Sequence, residues 1–332
     1  MDQAKTTRRR LLRGLFGLGA GALVTGPARV GARAREALPA PGPSAHPPRA
    51  ASARASLPAD ALRTIPSSGV AVPRIGLGTW ITFDLAPGAP GTDRRVAVLR
   101  AFLERGGGVV DSSPMYGRAE AMLGHALARL PGHDGTLFAA SKIWTPVDAL
   151  GPAQMRNTES LWGVSPMDLM HVHNLVNARA HLARLRDWKA EGRIRHVGLS
   201  TSHGRRHDEL ERLMRTEDVD VVQLTLNLRR REAEARLLPL AADRGIAVLV
   251  NRPLQRGALP DELARRPLSP LACELGCRTW AQFCLLYASS HPAVTAAIPA
   301  TADPEHLAEN MAVLGLDVPD AATRAAMARE IG

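Results

Sequence analysis

Between residues 75 and 314 the chain alternates short apolar runs with longer stretches whose apolar positions recur at helical spacing. The expected strands are 75–79, 107–111, 137–141, 167–173, 195–200, 219–224, 246–250 and 294–298. The expected helices lie near 93–105, 118–130, 153–162, 178–191, 206–215, 231–244, 278–289 and 304–314. Parallel strands need a crossover to bring the chain back to the same end of the sheet, and a helix supplies it. Eight such units favour a sheet closed on itself, and no glycine-rich first turn of the open, doubly wound kind appears. The pattern predicts an α/β fold, a (β/α)8 TIM barrel. A hairpin in LRTIPSSGVAVPRIGLG precedes it, with its turn at Ser67-Ser68-Gly69.

Barrels of this kind build active sites at the carboxyl ends of their strands. Asp111 closes the run GGGVVD, and Tyr116 follows five residues later, just before the helical stretch RAEAMLGHALARL. Lys142 ends TLFAASK, His173 ends MDLMHVH, and Gln223 lies in VDVVQL. Ionisable groups gathered at strand ends point to catalysis. A phenol with a pKa of about 10 keeps its proton at neutral pH, and a neighbouring ammonium favours its ionised form. A carboxylate can hold an ammonium as an ion pair, and an imidazole can donate a hydrogen bond. Each residue alone has a plainer role, as a loop cap, a strand end or an aromatic at a helix entrance; their recurrence at successive strand ends favours chemistry.

The ordered motifs begin with Ile75-Gly76-Leu77-Gly78-Thr79-Trp80 and the stretch from Asp111 through Ser112-Ser113-Pro114-Met115-Tyr116 to Glu120. SKIW, DLMHVH, EGRIRHVGLST and IPATADPEHLAEN continue the series to residue 310. On these the chain resembles the aldo-keto reductase superfamily. The resemblance implies an oxidoreductase that reduces a small-molecule aldehyde or ketone with hydride from NADPH, with NADH possible, and Tyr116, Asp111, Lys142 and His173 as the catalytic set. It places Thr79 and Trp80 near the nicotinamide or substrate, and Ser200, Thr201 and Gln223 around the carboxamide. Arg252, Pro253 and Leu254 fall beside the pyrophosphate, and Pro299, Thr301, His306, Glu309 and Asn310 near the adenosine end. The chain departs from the common pattern at Thr201, where many relatives carry Asn, at Leu226, which replaces a stacking aromatic, and at Asn251-Arg252, which replaces Tyr-Ser. The segments after Asn251 and after the last expected helix read as short, which predicts an open pocket without a long lid.

Two other classes compete with this reading. A barrel that binds a nicotinamide but regulates a partner would have no use for the proton donor Tyr116. The pair His171 and His173, two apart on a strand and so on one face, suggests a metal-dependent hydrolase. The surrounding motifs match a reductase instead, and His171 is then expected to be a hydrogen-bonded core residue.

The net charge of +10 is largely local: residues 1–35 carry eight Lys and Arg against one acid, leaving 34 basic and 31 acidic residues in the remainder. With only 4% aromatics there is no stacking platform for nucleic acid, so none is expected as a partner. The same residues read as a signal: Thr7-Arg8-Arg9-Arg10-Leu11-Leu12-Arg13, then the apolar GLFGLGAGALVTG, then small residues such as Ala32-Arg33-Ala34. The paired arginines predict export through the twin-arginine machinery, with no stable membrane span in the mature protein. Residues 36–60, dominated by Ala and Pro, read as a linker, so that 61–332 is the barrel domain. Cys273, Cys277 and Cys284 lack metal-site spacing and read as small core residues.

Overall fold

The computed structural model describes Arg54, residues 56–133 and residues 135–331. The expected signal at 1–35 and most of the expected linker lie outside the described residues. Strands β1 (Leu62–Thr64) and β2 (Ala71–Pro73) form the antiparallel hairpin, with Leu62 opposite Pro73. Eight parallel strands follow in sequence order: β3 (Leu77–Gly78), β4 (Gly108–Asp111), β5 (Leu137–Ile143), β6 (Met167–His173), β7 (Ile194–Ser200), β8 (Val221–Thr225), β9 (Ala247–Asn251) and β10 (Ala296–Ala297). The ring closes where Ile75 bridges Ala297 and Gly78 bridges Ala300. Hydrogen bonds from Gly76 N to Ala297 O (2.8 Å) and from Gly78 N to Pro299 O (2.9 Å) seal this seam.

The crossovers are α1 (Thr92–Glu104), α2 (Ala119–Ala128), α3 (Gly151–Trp162), α4 (Ala178–Ala190), α5 (His207–Thr216) and α6 (Leu237–Asp243). After β9 come α7 (Ala258–Leu263), α8 (Pro270–Glu274) and α9 (Trp280–Ser290), and after β10 come α10 (Pro304–Ala312) and α11 (Ala321–Ile331). The expected helix 231–244 is a 3₁₀ turn at Glu232–Glu234 followed by α6. Pro239 lacks an N–H and falls in the first turn of α6, where that donor has no intrahelical use. The segment after Asn251 is not short. It spans 252–279 and contains α7 and α8, while the chain ends in a further helix, α11.

Alternation along the strands separates two apolar cores. Inside the barrel Val109, Phe138, Ala140, Leu169, Val221, Leu249 and Ile298 pack together, and Ile65 and Val72 of the hairpin join them. The hairpin thus plugs the end where the strands begin, and its Ser68 Oγ lies 2.8 Å from His196 Nε2. The second core fills the layer between strands and helices, with Leu99, Phe102, Met122, Leu182, Leu199 and Leu286 among its buried members. The carboxyl end of the barrel is left as the open one. Within the expected linker, the Arg54 guanidinium binds the carbonyls of Gly106 (3.0 Å), Gly135 (3.1 Å) and Thr136 (2.6 Å), on turns that lead into β4 and β5.

Candidate active site

Asp111, at the last position of β4, and Lys142, near the end of β5, face each other inside the barrel and are almost completely buried. Lys142 Nζ donates to both Asp111 carboxylate oxygens at 2.7 and 2.6 Å and to the Ser112 carbonyl at 2.7 Å. An ammonium has three protons, so all are engaged. Gln223 Nε2 donates to Asp111 Oδ1 at 2.8 Å. Thr79 Oγ1 lies 2.9 Å from the Asp111 carbonyl and 2.9 Å from Ser112 Oγ. Burial lowers the Lys142 pKa, while Asp111 and then Glu120 oppose that shift.

Tyr116 stands over this pair, with Lys142 Nζ 5.0 Å from its ring centroid. The residue lines the cavity, and its hydroxyl has no hydrogen-bond partner among the described residues. Lys142 donates no bond to the phenol, because its protons are already committed. Burial, and then the charge of Asp111, push the Tyr116 pKa well above its ordinary value, so the phenol holds its proton firmly. His173 meets Tyr116 edge to face, with ring centroids 5.9 Å apart. Its Nδ1 lies 2.8 Å from Ser200 Oγ, leaving Nε2 for the cavity. Burial, followed by the Lys142 charge, pushes His173 down to about 3, so its imidazole is neutral.

Asp111, Tyr116 and His173 sit at the floor of a cavity of about 490 Å³. Thr79, Trp80, Gln223, Arg252, Pro253 and Leu254 also line it, as do Pro299, Thr301, His306, Glu309 and Asn310 on the side of β10 and α10. Lys142, Ser200 and Thr201 do not reach its wall. Lys142 lies behind Asp111, and Ser200 holds His173. Thr201 is buried with its carbonyl accepting from Asn251 Nδ2 at 2.7 Å, while its hydroxyl has no partner. Leu226 is fully buried away from the cavity wall. His171 is fully buried in the core, where burial lowers its pKa and a hydrogen bond with the Ser141 backbone opposes that shift, and a Cβ on Gly198 would meet its ring at 2.5 Å. Among the described residues no group of three or more His, Cys, Asp or Glu side chains is placed to hold a metal.

Several residues at the mouth carried no readable sequence signal. His203 contacts the Arg252 guanidinium, and the Arg256 guanidinium stacks on Trp80 at 4.8 Å from the ring centroid. Arg252 feels Arg256, Arg230 and Arg205, and with burial as the main cause its pKa is lowered. Neither Arg252 nor Arg256 has a carboxylate partner among the described residues. Arg94 of α1 reaches Asp303 at 2.6 Å, at the start of α10. Glu120, on α2 just past Tyr116, is buried and accepts from Ser141 Oγ (2.6 Å), Thr158 Oγ1 (3.1 Å) and Trp162 Nε1 (3.1 Å). It ties the helix after the Tyr116 segment to the strand that carries Lys142. Its place at the end of the motif that runs from Asp111 was the available hint.

A closed eight-stranded parallel barrel with its ionisable residues gathered at the carboxyl strand ends belongs to the architecture that carries enzyme sites there. The chain belongs to the aldo/keto reductase family, which it matches over residues 74–326. It is 26% identical over 216 residues to the aldo-keto reductase YhdN of Bacillus subtilis, covering 60% of this chain and 64% of that protein. The chain thus spans just under two thirds of that relative's length. An aldo/keto reductase from Klebsiella pneumoniae, solved in complex with NADP and acetate, is 28% identical with a TM-score of 0.68, covering 81% of this chain and 94% of that one. The glycerol dehydrogenase of Gluconobacter oxydans, at 21% identity and a TM-score of 0.69 over 82% of this chain and 95% of its own, shares the fold.

Proposed function

We propose that this chain reduces an aldehyde or ketone to the alcohol, with NADPH as hydride source and Tyr116 as proton donor. The observation that carries the reading is the buried Asp111–Lys142 pair beneath Tyr116 and His173 at the cavity floor. The NADP bound by the Klebsiella reductase supports the same cofactor class here. The residues fit such a group. Gln223, on the cavity wall, suits the carboxamide, Arg252 and Arg256 lack carboxylate partners where a pyrophosphate needs cations, and Thr301, His306 and Asn310 would hold the adenosine end.

When bound, the nicotinamide supplies hydride to the carbonyl carbon. The chain's own residues manage the oxygen. Neutral His173, anchored through Nδ1, has Nε2 free to donate a hydrogen bond to it. As negative charge builds there, the proton leaves the Tyr116 hydroxyl for the oxygen. The Lys142 ammonium then faces a nascent phenolate and offsets its charge. Hydride on carbon and proton on oxygen complete the alcohol.

Tyr116→Phe tests this: turnover measured by loss of reduced-nicotinamide absorbance should fall by roughly 100-fold or more, with cofactor affinity little changed. Retained activity would show that another group is the acid. Reduction requires protonated Tyr116, so activity is present at lower pH and lost only as pH rises through a pKa above the usual phenol value. His173 adds no acid limb near neutrality, being neutral above about 3. A kcat/KM profile flat from roughly pH 5 to 9 is expected, and a fall near pH 6 would contradict the neutral imidazole. The arginine pair Arg8-Arg9 supports export by the twin-arginine route. Replacing both by Lys, which keeps charge but loses the guanidinium fork, should retain the protein in the cytoplasm on cell fractionation.

A further inference from the structure

At the pole opposite the cavity, the hairpin turn sets a serine hydroxyl against an imidazole. His196, the third residue of β7, is 2% exposed and packs on Phe138 of the barrel core, with ring centroids 5.6 Å apart. Its Nδ1 lies 2.7 Å from the Asp168 carbonyl. A carbonyl can only accept, so in the neutral ring Nδ1 carries the proton and Nε2 keeps its lone pair. That lone pair faces Ser68 Oγ at 2.8 Å, so the serine hydroxyl is the donor. A contact that only anchored the hairpin would be served by either tautomer; the Asp168 carbonyl selects the one that can take a proton from serine.

The base is buried and the hydroxyl is exposed. Ser68 sits in a turn where its own N and Gly69 N donate to the Ile65 carbonyl at 3.2 and 2.9 Å. Val70 N donates to Ser68 Oγ at 3.3 Å, which occupies one lone pair of that oxygen and leaves the other free. The Asp168 carboxylate is fixed by Ala139 N at 2.8 Å and by Arg195 at 3.1 Å, and it interacts with the His196 charge, so it can offset an imidazolium. The adjacent Ser67 donates instead to the Asp220 carboxylate, a weaker base than imidazole. Two neighbouring serines of one turn thus differ in what can deprotonate them.

We propose that Ser68 is a nucleophile that takes an acyl group from activated esters, with His196 as its general base. Oγ bonds to the acyl carbon as its proton passes to His196 Nε2, and the bond from that carbon to the leaving oxygen breaks with its electron pair. The imidazolium returns the proton to the leaving oxygen, so the products are an O-acyl serine and an alcohol. An aryl ester suits such a dyad, because a phenolate leaves readily. No residue of the nicotinamide cavity takes part.

The test incubates the full chain, with the exposed Cys273 first blocked by iodoacetamide, with p-nitrophenyl acetate. It reads p-nitrophenol release together with fragment-ion mass spectrometry of the peptide carrying Ser67 and Ser68. One acetyl group per chain is expected at Ser68, formed about 100-fold faster than at Ser67. Ser68→Ala should abolish the fast release, and His196→Gln, which cannot take the proton, should slow acylation of Ser68 to the Ser67 rate. If thermal melting shows that His196→Gln does not fold, the Ser68-to-Ser67 ratio in the unaltered chain decides, since both serines are exposed in one turn. Equal labelling of the two serines, fast release retained in Ser68→Ala, or a folded His196→Gln variant acylated at the original rate overturns the proposal.

Discussion

Both ends of the barrel use glycine for left-handed backbone, but among the described residues only the carboxyl end also places other side chains there. Turns that enter strands use glycine, as at Gly163 before β6 and Gly192 before β7. Every non-glycine residue with positive φ among the described residues, from Ile81 through Asn174, His203 and Arg252 to Arg256, lies on a segment leaving a strand. The entering end meets its turns at the lowest conformational cost. At the other end the chain keeps side chains at strained positions, and several of these line the cavity. Stability and function have been assigned to different poles of one scaffold.

Lys142→Met should give the largest effect and blur that division. It strands the Asp111 carboxylate in the interior, so a loss of about 3–5 kcal/mol is expected in urea unfolding together with near-complete loss of turnover. Unchanged stability would mean that Asp111 takes up a proton and tolerates isolation. At the entering end, Gly192→Ala should cost about 1–2 kcal/mol through backbone strain alone, since nothing lies within 4 Å of the added Cβ, and should leave kcat unaltered. A change in kcat would break the separation. Smallest is Arg256→Gly, which relieves a φ of 65° and should leave stability unchanged or raise it by up to about 1 kcal/mol, while KM for NADPH increases. Thermal melts and steady-state kinetics on the same preparation would show whether strain and binding are exchanged there.

How well the sequence could be read followed the same division. β6 begins and ends where MDLMHVH does, because that run is buried along its whole length between unambiguous turns. Asp111, Tyr116 and His173 were legible for the same reason: fixing the strands fixes their carboxyl ends. The stretch 252–279 was not, because α7 has six residues and α8 five, too short to impose a period on a sequence rich in Arg and Pro. Charge distribution was equally hidden. That all three Lys142 protons are engaged by Asp111 and Ser112 is a matter of geometry, and Arg94 reaches Asp303 across 209 positions of sequence.

The barrel closes between strands of two residues each, Leu77–Gly78 and Ala296–Ala297, whereas every other joint includes at least one longer strand. A ring parts first at its briefest joint, so amides along this seam should exchange with solvent ahead of those in β6 and β7. Gly78 on one lip and Ile298, Pro299 and Ala300 on the other all border the cavity. An occupant there bears on both lips, so filling the cavity and latching the cylinder are thermodynamically linked, and each makes the other more favourable.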